Sequence, residues 1–401
     1  MNGEPRCWLP WRMFRVMSDG EVNLCCANRR PIGNVLRDGF DAVWNSAEAQ
    51  DMRSRIAAGD YEGAGCGGCF FWGSHEAEVS HWPAPEFELD ATQAENRSLQ
   101  EAEYRAGAPV LASRPTIFFA QPGYTCNIRC IMCNQGDGRI DGLVVDPDRL
   151  VDVVLTQPVL PEMVILQGGE PMIVRQVLRA LQVIADRGGA CRVNLNTNGL
   201  VAHRHLALLD RLPRLRLNIS IDAGDAETYE RIRVGGDWKR LQKNIALLHA
   251  RRQPDWRLNA HHVLMRGNLS QVDTILLAHA HWADQQRVFP VQGSENSDEN
   301  PFCYFFLLDD VPGWEDALQR ALAWAEGRGD GELAQEVRYV QALLRAPFRL
   351  DRPTWERLLA RLGEPEARKA AADVSGWRSD HVSGRTPSWS PVERWPELAS
   401  T

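Results

Sequence analysis

Three cysteines in the stretch YTCNIRCIMCNQ, namely Cys126, Cys130 and Cys133, are spaced C-x3-C-x2-C, with no fourth close behind. A structural zinc site closes with four ligands, usually as two paired knuckles. A [4Fe–4S] cube also usually takes four thiolates. Three thiolates on one short loop after a strand therefore leave a metal position open for a ligand that is not protein. Taken alone, the spacing also suits a zinc loop that borrows its fourth ligand from far away. Of the other seven cysteines, Cys7, Cys25, Cys26, Cys66 and Cys69 form a second group, and Cys191 and Cys303 stand singly. In the second group the C-x2-C pair of Cys66 and Cys69 serves zinc and iron–sulfur clusters alike.

Such loops need rigid elements behind them. From residue 115 onward, short apolar runs rich in β-branched residues recur: TIFFA (116–120), EMVILQ (162–167), CRVNLN (191–196), LRLNISI (215–221), WRLNAHHVL (256–264) and RVFPV (287–291). Helix-period stretches such as VRQVLRALQVIADRG separate them. Six strands alternating with helices predict a parallel α/β sheet or barrel, whose sites lie at the carboxyl ends of the strands. The expected organisation is a cysteine-bearing unit at 1–73, a connector with one helix at 74–114, a barrel at 115–310, a helical region at 311–375 and a flexible tail at 376–401.

Composition narrows the partners. Lys and Arg total 45 against 53 Asp and Glu, a formal net charge of −8, and no basic stripe stands out, so no nucleic-acid partner is expected. The opening MNGEPRCWLPWRMF has no apolar core of a signal peptide, and no run of about 18 apolar residues occurs. A cytoplasmic protein without a membrane span is the expectation, and there grouped cysteines read as metal or catalytic sites rather than disulfides. The fourteen tryptophans are scattered and read as core bulk.

The stretches that follow the cysteine loop carry a resemblance. LQGGEPMI follows the second strand, NLNTNG (194–199) ends the third, LNISIDAGDAETYERIR spans the fourth, and VLMRGN (263–268) ends the fifth. In this order, over residues 115 to about 292, they resemble the radical SAM superfamily. The resemblance implies a partial (β/α)6 barrel in which Cys126, Cys130 and Cys133 hold a [4Fe–4S] cluster and the open iron is chelated by S-adenosyl-L-methionine. It implies cofactor contacts from Gly168, Gly169, Glu170 and Pro171, with Glu170 accepting from the ammonium group. Asn198 is a further cofactor contact, Ser220 and Asp222 lie near the ribose, Arg233 faces the carboxylate, and Val263 meets the adenine. Met132 stands where the family commonly has an aromatic residue near the adenine, a role its polarizable thioether can fill.

Residues 7 to 69 resemble the twitch or shortened SPASM module that binds an auxiliary iron–sulfur cluster. The matching features are Cys7 before Pro10-Trp11, the G-x-V-x-x-C of Gly20 to Cys25, IGN (32–34), VWNS (43–46), Arg53 and the closing Cys66-x2-Cys69. The resemblance implies Cys7, Cys25, Cys66 and Cys69 as ligands of a second [4Fe–4S] cluster, with Cys26 able to exchange roles with Cys25. It also implies an electron donor such as flavodoxin or ferredoxin, and a small-molecule or peptide substrate that loses hydrogen to a 5′-deoxyadenosyl radical. Oxidation is the leading outcome. Epimerisation or peptide crosslinking, and a noncatalytic electron carrier, are the alternatives. Cys191 reads as a small buried hydrophobe. Cys303 is either a hydrogen-atom donor to a substrate radical or a packed core residue beside Phe302 and Phe305.

Overall fold

The structure is a computed structural model that describes residues 7–28, 30–66, 69, 82–133, 151–152, 154–188, 190–212, 214–292, 298–346, 350–383 and 390–398. Among them are eleven strands. The first six are β1 (Met13–Met17), β2 (Glu21–Asn23), β3 (Gly33–Asn34), β4 (Ile117–Gln121), β5 (Arg129–Cys130) and β6 (Met163–Leu166). The others are β7 (Arg192–Thr197), β8 (Arg214–Ser220), β9 (Arg233–Val234), β10 (Arg257–Leu264) and β11 (Gln285–Pro290). The longer helices before residue 260 are α1 (Ala47–Ala57), α2 (Ala91–Ala106), α3 (Arg175–Arg187), α4 (Ala226–Ile232) and α5 (Trp238–Arg251). After it come α6 (Val272–His279), α7 (Trp314–Gly327), α8 (Gly331–Arg345), α9 (Arg352–Leu362) and α10 (Glu364–Val382). All six runs picked out by their apolar pattern are strands. No helix of the described residues is long and apolar enough to cross a membrane.

Packing divides the chain into two compact units. The first holds the described residues up to Asn127, those between 134 and Asn218, and Leu241–Arg257. Its strands run in the order β3-β2-β1-β4-β6-β7-β8. β4 pairs in parallel with β6, and β6 with β7, as expected. β1 also pairs in parallel with β4, from Met13 opposite Ile117 to Met17 opposite Gln121, while β2 returns antiparallel. The cysteine-bearing segment thus shares its sheet with the first strand of the predicted barrel. Phe14 of β1 meets Phe118 of β4 edge-on and stacks near Phe40, closing this part of the core. Arg53 of α1 is buried with its guanidinium donating to the carbonyls of Pro10, Trp44 and Pro109, each at 3.0 Å, and lying over the Trp44 ring. A cation in the core is tolerated when carbonyl oxygens and an aromatic face replace its water.

The predicted connector is a strap. Asp90 and Gln93 form a reciprocal cap at the start of α2, and Gln93 also donates to the carbonyls of Leu160 and Ala190 just before β6 and β7. Arg97 of α2 shares the carboxylate of Glu162 with Arg12, which approaches it to 2.8 Å. These contacts hold the amino-terminal ends of the strands, opposite the ends that lead into the motif loops.

The second unit holds Ile128–Cys133, Ile219–Arg240 and the described residues from Leu258 onward. β10 and β11 pair in parallel, Asn259 opposite Gln285 through Leu264 opposite Pro290. The edge of β11 is covered by α8, whose Glu336 accepts from the Val288 N–H at 2.9 Å. An edge strand covered this way has fewer free backbone groups to recruit another chain. Helices α7 and α8 bury Leu318, Ala321, Leu333, Val337, Val340 and Leu344 against Leu264, Val288 and Val291. Where the sequence predicts a flexible tail from residue 376, α10 continues to Val382, and its buried Arg378 donates to the Phe302 carbonyl. Further on, Trp395 donates to Asp373 at 2.9 Å, and Trp395 and Leu398 pack on a cluster that includes Leu358 and Ala370. Two apolar anchors separated by polar spacers leave no period to read, yet they dock the segment.

Candidate functional site

In the first unit, the Gly168-Gly169 pair presses against the backbone that enters the cysteine loop. Gly169 N–H donates to Gly123 O at 3.1 Å and Glu170 N–H to Thr125 O at 2.8 Å. A Cβ on Gly168 would lie 2.1 Å from Gly123 O, and one on Gly169 would lie 2.1 Å from Thr125 O. Gly168 also adopts φ +144°, which side chains disfavour. The resemblance assigns these glycines to close approach of a ligand. The structure adds close approach of the segment Gly123–Thr125, immediately before Cys126.

Glu170 is fully buried. Its carboxylate accepts from Met172 N–H (3.0 Å), from the Thr197 hydroxyl (2.7 Å) and from Asn198 N–H (2.7 Å). It therefore ties the end of β6 to the turn after β7. That turn in turn directs Asn198, whose Nδ2 donates to Cys126 Sγ at 3.8 Å and to Asn127 Oδ1 at 2.8 Å. Pro171 opens a short 3-10 turn after Glu170 and is buried. Thr197, Gly123 and Asn127 were not picked out from sequence. Their signal is adjacency: each flanks a motif residue in NLNTNG, QPGYT or YTCN.

In the second unit, β5 and β9 pair antiparallel so that Cys130 faces Arg233. Arg233 Nη1 donates to Cys130 Sγ at 3.6 Å, and its Nη2 makes an ion pair with Asp222 at 2.6 Å. Asp222 is fully buried and is the one non-glycine among the described residues with positive φ, at 57°. Left-handed backbone at a side-chain-bearing residue costs of order 1 kcal/mol and persists where surroundings hold it. Here Oδ1 accepts from Val263 N–H at 2.7 Å, and the Asp222 carbonyl accepts from Asn268 Nδ2 at 2.9 Å. Burial pushes the Asp222 carboxyl up against the pull of Arg233. Burial works against Arg233 as well, but Asp222 and Cys130 outweigh it and hold the guanidinium charged. Ser220 ends β8 two residues earlier, half-buried. Met132 and Val263, both expected near adenine, pack against the same apolar cluster.

The N-terminal thiols lie in the first unit. Cys25 is buried with Leu9, Met13, Ile117 and Phe119, and Cys7 and Cys26 pack on that group. Burial pushes the Cys7 thiol up, and the nearby Cys25, Cys69 and Cys66 push in the same direction. Four mutually repelling thiols call for a cation if all are to be thiolates. Cys25 and Cys26 are not equivalent. A hydrogen bond from Cys26, helped by N–H groups of Asn28 and Ala27, lowers the Cys25 thiol to about 6, whereas Cys26 is pushed up. Asn28 Nδ2 donates to Cys66 Sγ at 3.3 Å. Among the described residues, no three His, Cys, Asp or Glu side chains are already drawn together at metal-holding spacing. The donor chemistry fits an iron–sulfur cluster all the same: thiols grouped together, several of them receiving N–H donors.

Cys191 is buried, and burial pushes its thiol up to about 12. Cys303 is buried in the helical core with Tyr304, Leu350 and Leu358, and accepts from Asn300 Nδ2 at 3.4 Å.

Comparison with known proteins bears on both regions. The family model of the radical SAM superfamily matches residues 121–276, and that of the SPASM iron–sulfur cluster-binding domain matches residues 7–70. The GTP 3′,8-cyclase of Alkaliphilus oremlandii is 28% identical over 124 residues, 30% of this chain and 39% of that protein. Molybdenum cofactor biosynthesis protein moc-5 of Caenorhabditis elegans is 26% identical over 232 residues, 54% of this chain and 38% of its own length. The chain thus spans about two fifths of these relatives. Among solved structures, Streptococcus suis SuiB bound to precursor peptide SuiA aligns with a TM-score of 0.40 and 14% identity, covering 70% of this chain and 62% of that one. The chain thus carries a radical SAM domain, which implies S-adenosylmethionine and a [4Fe–4S] cluster, and a SPASM domain, which implies an additional iron–sulfur cluster.

Proposed function

We propose that this enzyme removes hydrogen from a small metabolite or a peptide and releases an oxidised, dehydrogenated product, with the N-terminal cluster accepting the electron left on the substrate. In this reading Cys126, Cys130 and Cys133 hold the radical-generating cluster, and Cys7, Cys25, Cys66 and Cys69 hold the auxiliary one. When bound, the reduced cluster and S-adenosylmethionine supply a 5′-deoxyadenosyl radical, the agent of hydrogen abstraction. The chain positions and shields. Glu170 fixes the turn that aims Asn198 at Cys126. Met132 and Val263 offer an apolar wall to the adenine, and Ser220 a hydroxyl to the ribose. An electron donor of flavodoxin or ferredoxin type completes the reading. Cys303, packed within the helical core, has no part in it.

The observation that carries the oxidation reading is the pairing of β1 with β4. Cys25 packs on Ile117 and Phe119 of β4, and the same strand ends at Gln121, five residues before Cys126. One strand thus carries the auxiliary thiols on its flank and delivers the cysteine loop from its end, which suits electron exchange. The test is Cys66→Ala, with retention of the other cluster confirmed by its iron content. Substrate-dependent 5′-deoxyadenosine should continue while dehydrogenated product disappears. Product formed in proportion to deoxyadenosine without the auxiliary cluster would overturn the oxidation reading. The likeness to GTP 3′,8-cyclases supports a radical reaction, and GTP belongs among the candidate substrates offered. A rise in deoxyadenosine with GTP would replace the metabolite or peptide by a nucleotide.

A further inference from the structure

The Asp222–Arg233 pair lies apart from any free surface, and its second contact is a sulfur. Arg233 is 5% exposed and Asp222 0%. Its guanidinium therefore has little water to share, and what it meets is the Asp222 carboxylate on one nitrogen and Cys130 Sγ on the other. The anchoring is rigid. Asp222 is held in its left-handed conformation by Val263 N–H and Asn268, and the turn after β9 is closed by Gly236, where a Cβ would lie 2.7 Å from both Arg233 O and Tyr229 Cε1. Three further buried polar atoms, Arg233 Nε, Tyr229 OH and His262 Nδ1, have no hydrogen-bond partner among the described residues. The charge of Arg233 is thus little screened by neighbouring side-chain acceptors other than Asp222 and Cys130.

We infer that Arg233 is a positioning residue that sets the reduction potential of the cluster held by Cys130, and that Asp222 trims its effect. The inference rests on the reading that Cys130 is an iron ligand. One-electron reduction adds a negative charge to a thiolate-bound cluster, and hydrogen bonds to the sulfurs and nearby charge move its potential. A desolvated guanidinium on a ligand sulfur favours the reduced form. The Asp222 carboxylate, one atom further out, opposes part of that gain. The two residues therefore act with opposite sign, and a residue that only held the fold would not show this.

The experiment is a redox titration of the reconstituted full chain followed by electron paramagnetic resonance, with the auxiliary cluster's signal as internal control. Three variants are compared with the unaltered protein. The paired change Asp222→Asn with Arg233→Met removes both charges without leaving either one buried alone. Its reduced-to-oxidised ratio at a fixed potential should fall about tenfold, which is about 59 mV downward for one electron. Asp222→Asn alone leaves the guanidinium unopposed and should move the potential upward. Arg233→Lys keeps the charge without the two-pronged donor and should lie between the paired variant and the unaltered protein. Unshifted potentials in cluster-loaded variants overturn the inference, and so does a shift of the same sign in all three. Loss of the cluster from all three variants also overturns it, in favour of a purely structural pair. If the unaltered chain carries no cluster on Cys126, Cys130 and Cys133, the underlying reading fails instead, and iron content separates that case.

Discussion

Replacing Gly169 by alanine tests whether the glycine pair serves the cysteine loop. Gly169 does not need glycine for its backbone angles, unlike Gly168 at φ +144°, so the substitution probes space alone. The new methyl carbon would sit 2.1 Å from Thr125 O, 2.4 Å from Thr125 C and 2.4 Å from Tyr124 O. All three are backbone atoms, so no side chain can swing aside, and contact at ordinary distance requires the strand end and the loop to part by more than 1 Å. Such a shift breaks the bonds from Gly169 N–H to Gly123 O and from Glu170 N–H to Thr125 O. Two hydrogen bonds at about 0.5–1.5 kcal/mol each, with overpacking of about 1–3 kcal/mol, give a destabilisation of roughly 2–6 kcal/mol. The loss concentrates beside Cys126. Gly169→Ala should therefore lower the urea midpoint of the cluster-free protein and, after anaerobic reconstitution, cost it about half of the eight irons expected of two cubanes. Iron should stay on the N-terminal thiols. A variant with unchanged midpoint and full iron content would show that the approach of these backbones is not required, and the glycines would revert to a ligand-facing role only.

Three further outcomes follow from the same contacts. Glu170→Gln turns one acceptor oxygen towards N–H or O–H donors as a donor itself, so the cluster-free protein should lose about 1.5–3 kcal/mol in urea unfolding; a carboxylate serving only the cofactor ammonium would leave that stability unchanged. Glu162→Gln leaves Arg12 and Arg97 buried without their shared anion and should cost about 3–5 kcal/mol, read as a lowered midpoint with the same denaturant slope. His279 is buried with its Nε2 on the Ala223 carbonyl, and burial lowers it to about 4. A depressed folded value means its contribution is complete above about pH 6.5 and is lost as pH falls from there towards 4. His279 should contribute about 3 kcal/mol to the drop over that window, and His279→Gln should remove that part of the slope, leaving the part from buried His262, which is lowered as well.

The six strands were legible because each is a short β-branched run bounded by helical stretches, and the parallel sheet followed from their alternation. The three-cysteine loop and GGEP were legible as spacing. What escaped was partnership across long separations. Nothing in MFRVM says that β1 lies parallel to β4, about a hundred residues later, because a mostly apolar pentapeptide suits many places in a sheet. Cys25 and Cys26 are adjacent in sequence, and only the fold distinguishes them, burying Cys25 more deeply and giving it the N–H groups of Asn28 and Ala27. The resemblance makes Arg233 a partner for a cofactor carboxylate. Its nearest anion is Asp222, eleven residues upstream, reached because Asp222 takes a left-handed turn that aspartate permits but does not announce.

The two halves of the cofactor motif obey one rule. In the first unit a buried carboxylate, Glu170, accepts from the backbone N–H of Asn198, whose neutral amide then reaches Cys126. In the second a buried carboxylate, Asp222, pairs with Arg233, whose cation reaches Cys130. A buried acid with a fixed partner costs conformational freedom and desolvation, and the return is a donor that cannot wander from its sulfur. The two donors differ in charge, so the two sulfurs are not equivalent electrostatically. Cys130 faces a full positive charge, whereas the Asn198 donor at Cys126 is an amide dipole. An iron held by Cys130 would accordingly be where added electron density settles. Selective labelling of single cluster irons, read by Mössbauer spectroscopy on reduction, would show it there; density shared evenly between the Cys126 and Cys130 irons would mean that Arg233 steers the fold and not the electron.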